Sequence, residues 1–134
     1  MKEDRQTDII GLPIVVIVAE KHPLLRASLA ALLSHDGYRV FQAEDLNATI
    51  SCIDRVTDLA VLLADLDMPG WKSILQRALN RAPDAFVIAM AGVERIPAIS
   101  ALNQCGIQVC LQKPLIYKDV RQAISEVIGR RRAA

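Results

Sequence analysis

Five short apolar runs, rich in β-branched and aliphatic side chains, recur along the chain at residues 14–18, 38–43, 59–64, 85–90 and 107–111. Each is bounded by turn or charged residues and is too short for a typical helix, so each reads as a strand; the continuous runs read as strands buried on both faces. Between them the periodicity is helical. Pro23 is placed to start the first helix, with Leu24, Leu25, Ser28, Leu29, Leu32 and Leu33 on one face and Gly37 ending it. A second helix spans 45–55, with Leu46, Ile50 and Ile53 at helical spacing and Asp45 favouring its N-terminus. After the turn at Gly70, Lys72 or Ser73 precedes a third, which stops at Arg81, before Pro83. The segment 94–105 reads as a weaker helix, interrupted by Pro97 and closed by Gly106. The last helix is led by Asp119, buries Val120, Ile124, Val127 and Ile128, and runs into Gly129 and the Arg130-Arg131-Arg132 run.

Strand and helix thus alternate five times. With right-handed crossovers, that pattern predicts an α/β fold: a five-stranded parallel sheet, (βα)5, with helices on both faces. The expected strand order is flavodoxin-like, with the functional crevice beside the carboxyl ends of the first and third strands. The chain of 134 residues is expected to hold one domain over 13–130, with polar tails at 1–12 and 131–134. Apolar residues make up 52% and aromatic residues only 4%, so the core must be aliphatic. A net charge of +1 gives no electrostatic argument for direct nucleic-acid or anionic-membrane binding. No apolar stretch has the length of a membrane span and no cleavable signal is evident. Cys52, Cys105 and Cys110 have no metal-site spacing and read as buried thiols of a reducing, cytoplasmic compartment.

Chemistry concentrates at strand ends. Asp65 closes the third apolar run and opens Leu66-Asp67-Met68-Pro69-Gly70; Lys113 follows the fifth run and precedes Pro114. On spacing alone, an acid and a lysine at a sheet edge make an ordinary ion pair. Together with Glu20-Lys21-His22-Pro23 after the first run, the arrangement resembles the response-regulator receiver (CheY-like) domain of two-component signalling, over residues 14–129. The resemblance implies that Asp65 is the candidate phospho-acceptor, that Lys113 and Glu20 are its partners, and that the Lys113–Pro114 peptide is cis. It also implies a histidine kinase or downstream effector as partner and allows a homodimer through the last helix. Such a domain signals and is not an enzyme in its own right.

Three positions depart from the family pattern. Lys21 stands where a second metal-holding acid belongs, Ala91 where a switch hydroxyl belongs, and Cys110 at the aromatic switch position. Opposite charges ~4 Å apart attract by ~4 kcal/mol at an effective dielectric of ~20. Lys21 is therefore expected to pair with Asp65 or Glu20 and to repel Mg²⁺, leaving no cofactor beyond a weak Mg²⁺ held through Glu20 and Asp65. The resulting expectation is an atypical pseudo-receiver acting by protein–protein contact, with Ile96, Ile99, Tyr117 and Val120 as surface candidates of which some must belong to the core; the alternative is a conventional phospho-acceptor. His22 reads as a helix-start residue. A small flavodoxin-like enzyme or nucleotide binder would need a glycine-rich phosphate loop where Glu20-Lys21-His22-Pro23 stands. Too few residues follow the last helix for a DNA-binding module; the arginine run reads as a solvated helix end, with the opening of a linker to an output domain as the alternative.

Overall fold

The computed structural model describes Thr7 and residues 13–95 and 99–133. The five strands are β1 (Val15–Ala19), β2 (Arg39–Ala43), β3 (Leu59–Asp65), β4 (Phe86–Ala91) and β5 (Ile107–Gln112). They form one parallel sheet in the order β2-β1-β3-β4-β5. The helices are α1 (Pro23–His35), α2 (Leu46–Arg55), α3 (Trp71–Arg81), α4 (Ile99–Gln104) and α5 (Tyr117–Ala133). Side chains alternate across a strand, so the sheet divides its apolar residues between two layers. Ile17, Leu62, Ala64 and Ala89 meet Cys52 and Ile53 of α2, Ile74, Leu75 and Ala78 of α3, and Leu102 of α4. Val16, Val18, Leu63, Ile88 and Met90 meet Leu29 and Leu33 of α1 and Val120, Ile124, Val127 and Ile128 of α5. The central strands are covered on both sides, which is why β1 and β3 are apolar at nearly every position.

The apolar face expected for α1 is too wide. Only Leu29, Ala30 and Leu33 of α1 are buried, while Leu24 is 74% and Leu32 43% exposed. With a 3.6-residue period, Leu24 lies opposite the buried stripe and Leu32 on its flank. The expected helix over 94–105 is instead a 3₁₀ turn at Val93–Arg95 and the short α4; Pro97 lies outside the described residues. Helix α3 starts at Trp71 because Gly70, with φ of +84°, caps it in the left-handed region. A Cβ there would also come within 2.8 Å of Leu46 Cδ2, so Gly70 lets the starts of α2 and α3 approach. Asp45 caps α2 by accepting from the Ala48 N–H at 2.8 Å. Helix α5 begins at Tyr117, with Asp119 in its first turn, and continues past Gly129 to Ala133.

Two side-chain devices fasten the layers. At the C-terminal end of α1, Asp36 accepts hydrogen bonds from Tyr117 Oη at 2.7 Å and from Arg121 Nε and Nη2 at 2.9 and 2.7 Å. The Arg121 guanidinium beside it, backed by the Tyr117 hydroxyl, holds the Asp36 carboxyl below the usual range. On the other layer Arg77 of α3 grips Asp54 of α2 through two hydrogen bonds, 2.8 and 2.6 Å long. Between β4 and β5 the register shifts between Val87 and Ile88, and there the Gln108 side chain accepts the Val87 N–H at 2.7 Å.

Candidate functional site

The sheet delivers the site residues together because parallel strands end on one edge. Asp65 is the last residue of β3, Glu20 follows β1, Lys113 follows β5, and Ala91 closes β4. Since β1 and β3 are neighbours and their crossovers leave in opposite directions, this is the switch point of the sheet. Glu20 is fully buried and Asp65 is 1% exposed. Buried carboxylates are tolerated only with partners, and the lysine supplies one. Lys113 Nζ lies 2.9 Å from Glu20 Oε1, 3.0 Å from Asp65 Oδ1 and 3.5 Å from Asp67 Oδ2. The approach to Asp65 is a directed hydrogen bond. That to Glu20 Oε1 is an ion-pair contact without hydrogen-bond alignment.

Main-chain donors complete the arrangement. Asp65 Oδ1 accepts the Asp67 N–H at 2.8 Å and Oδ2 the Lys21 N–H at 3.2 Å, while Glu20 Oε2 accepts the His22 N–H at 2.9 Å. Burial pushes the Asp65 carboxyl up, but Lys113 and the two amides outweigh it and hold Asp65 below its ordinary value. At Glu20 burial wins, with the Asp65 charge adding to it, and the carboxyl titrates above its ordinary value despite the His22 amide and Lys113. Lys113 is raised: burial opposes its charge, and the two carboxylates more than compensate. The nucleophile candidate is therefore ionised at neutral pH and fully engaged by donors.

Lys21 is placed differently from expectation. Its side chain is exposed, and what it contributes to Asp65 is its backbone N–H; the cation paired with Glu20 and Asp65 is Lys113. The sequence shows the charge of Lys21 but not the direction its side chain takes from the loop. Ala91 is fully buried and contributes its carbonyl, which accepts the Lys113 N–H at 2.7 Å and so sets the lysine's height over the site. The Lys113–Pro114 peptide is cis. Cys110 is half-buried in β5 opposite Ala89, its thiol pushed up by burial. Of the expected buried thiols only Cys52 is buried; Cys105 and Cys110 are half-covered. Val120 is fully buried, so it serves the core and not a docking surface, and Tyr117 is half-buried against Asp36. Ile96 and the side chain of Ile99 lie outside the described residues.

Two residues of the site were not singled out from sequence. Asp67 offers both an amide and a carboxylate; its signal was its position two residues past Asp65. Arg26 donates from Nη1 to the carbonyls of Glu20 and Lys21 at 2.9 and 3.5 Å. As for a divalent ion, the carboxylates converge on the Lys113 ammonium, and no three metal-ligating side chains among the described residues are arranged around a common centre. In the geometry described, the carboxylates that would hold a divalent ion, Glu20 and Asp65, face the Lys113 ammonium.

The sequence pattern of the response regulator receiver domain matches residues 16–125, most of the chain. The chain belongs to that family. Among curated relatives, the sensor histidine kinase AruS of Pseudomonas aeruginosa is 31% identical over 121 residues, covering 84% of this chain and 12% of that protein. The glycerol metabolism activator of Pseudomonas putida is 24% identical over 119 residues, covering 85% of this chain and 53% of that one. The chain thus spans about half or less of the length of the curated relatives it matches. A receiver domain from Clostridium thermocellum superposes with a TM-score of 0.78 at 24% identity, covering 88% of this chain and 96% of the other. The receiver's parallel sheet with helices on both faces is the fold observed, and no helix among the described residues is long and apolar enough to cross a membrane.

Proposed function

We propose that this receiver domain is an atypical one, a signalling and protein-interaction module in which Mg²⁺-dependent phosphorylation of Asp65 is impaired. The observation that carries the reading is the loop after β1, where position 21 puts an exposed lysine at the rim of the site and gives Asp65 a backbone amide but no second carboxylate. A divalent ion entering there would meet one fixed cation at the convergence point and a second, Lys21, at the rim; any Mg²⁺ held through Glu20 and Asp65 is weak. Ala91 has no hydroxyl to bond a phosphoryl oxygen, so a phosphorylated state would lack one of its usual reporters. The module would act in the cytoplasm, where three free thiols stay reduced. Its partners would be a histidine kinase or an effector, the kinds of protein named among its relatives.

One observation favours the second reading, a conventional phospho-acceptor fed by a histidine kinase: Asp65 is held ionised, as a nucleophile must be. Amide NMR with Mg²⁺ and beryllofluoride, a phosphoryl mimic, separates the two. On the pseudo-receiver reading the wild type gives no shifts around Asp65, and Lys21→Asp, which restores an acid to the loop, gives them. A saturable wild-type response centred on Asp65 establishes the conventional reading.

A further inference from the structure

The start of α1 carries a charge that electrostatics disfavours. Arg26 stands in the first turns of the helix, where the macrodipole repels cations, and the helix has no acidic residue in its first turn and no side-chain cap at His22. Its guanidinium turns back over the loop onto the carbonyls of Glu20 and Lys21. Those carbonyls are half of two peptide groups whose other halves are the N–H of Lys21 and the N–H of His22. A peptide group is planar and trans, so its C=O and N–H point in opposite directions and fixing one aims the other. The Lys21 N–H reaches Asp65 Oδ2 and the His22 N–H reaches Glu20 Oε2. One guanidinium therefore holds the back of both peptide planes whose fronts hold the two buried carboxylates. A charge-assisted bond to the carbonyl also polarises the amide and strengthens its donation.

We infer that Arg26 is a positioning residue of the Asp65 site: it aims the amides of Lys21 and His22 at Asp65 and Glu20. The inference rests on Asp65 marking the functional site, but not on whether Asp65 is phosphorylated.

Amide NMR without metal or beryllofluoride tests it on wild type, Arg26→Ala, Arg26→Lys and a control, Arg77→Ala, which removes an exposed grip on Asp54 in the other layer. In Arg26→Ala the Lys21 and His22 amide protons are expected to move upfield and to exchange with solvent about tenfold faster or more. Arg26→Lys, with a single ammonium able to reach the shorter contact, should restore Lys21 more fully than His22. Arg77→Ala should leave both amides in place. Unchanged Lys21 and His22 amides in Arg26→Ala overturn the inference. Equal changes in Arg26→Ala and Arg77→Ala also overturn it, because they report general loosening. A wild-type beryllofluoride response would remove the pseudo-receiver reading and leave these amide results standing.

Discussion

Lys113 faces three carboxylates with one charge, so its removal exposes the cost that it offsets. Breaking a buried pair from one side leaves the other charge unpaired; here Glu20 and Asp65 would be left within the same pocket. Lys113→Met is expected to lose about 2–4 kcal/mol at about pH 7, below the range for a fully buried pair because the lysine is 18% exposed. The sign of the pH dependence follows from the two carboxyls. Asp65 is held down, so in the wild type its contribution is present above its unfolded value and is lost as pH falls through the folded one. Glu20 is raised, so its burial is harmless below its unfolded value and costs stability as pH rises through the folded one. Without Lys113 both carboxyls move upward and both then favour acid. Urea unfolding at about pH 7 and about pH 5 should show the deficit of Lys113→Met shrinking at the lower pH. A deficit that does not change with pH would show that the lysine acts by packing instead. Residue chemistry at this site was partly legible in the sequence: Asp65, Glu20 and Lys113 all converge. The directions of Lys21 and Arg26 were not, since both act through the main chain, and a string of side chains does not reveal where an amide points.

At the scale of elements, runs of β-branched residues announced the strands correctly because the central ones are buried on both sides and leave no polar position to confuse the pattern. Helix α1 was harder: Leu24 and Leu32 look like core residues in sequence, yet the sheet is wide enough to cover only the stripe through Leu29 and Leu33. A local feature hidden from sequence lies between β4 and β5. Gln108 is exposed on an edge strand, where a polar residue is unremarkable, but its side chain accepts the Val87 N–H where the register shifts. Gln108→Ala should leave the Val87 N–H unpaired and cost about 1–2 kcal/mol. Denaturant unfolding together with exchange at the Val87 amide checks this; an unaltered Val87 exchange rate would mean that another acceptor takes the bond.

The whole molecule is two apolar layers sharing one sheet, and neighbouring residues of β3 belong to different layers. Leu62 packs toward α2 and α3, Leu63 toward α1 and α5, and both are fully buried. Leu62→Ala and Leu63→Ala should each cost about 2–5 kcal/mol. Because the strands are common to both layers, each variant should still unfold in one transition, with fluorescence of Trp71 and far-UV circular dichroism coinciding. Two separated transitions in either variant would show that the layers fold independently. The Asp36 grip on Tyr117 and Arg121 acquires a meaning at this scale. Glu20 leads into α1, α1 ends at Asp36, Asp36 holds the first turns of α5, and α5 is reached from Lys113, which returns to Glu20. Mechanically this is a closed ring of rigid bars and hinges, and a closed ring has fewer independent motions than an open chain. Within this ring the Lys113 side chain and the short connection from β5 to α5 are the compliant links, and the joint at Asp36 lies at the opposite end of α1 from the acids.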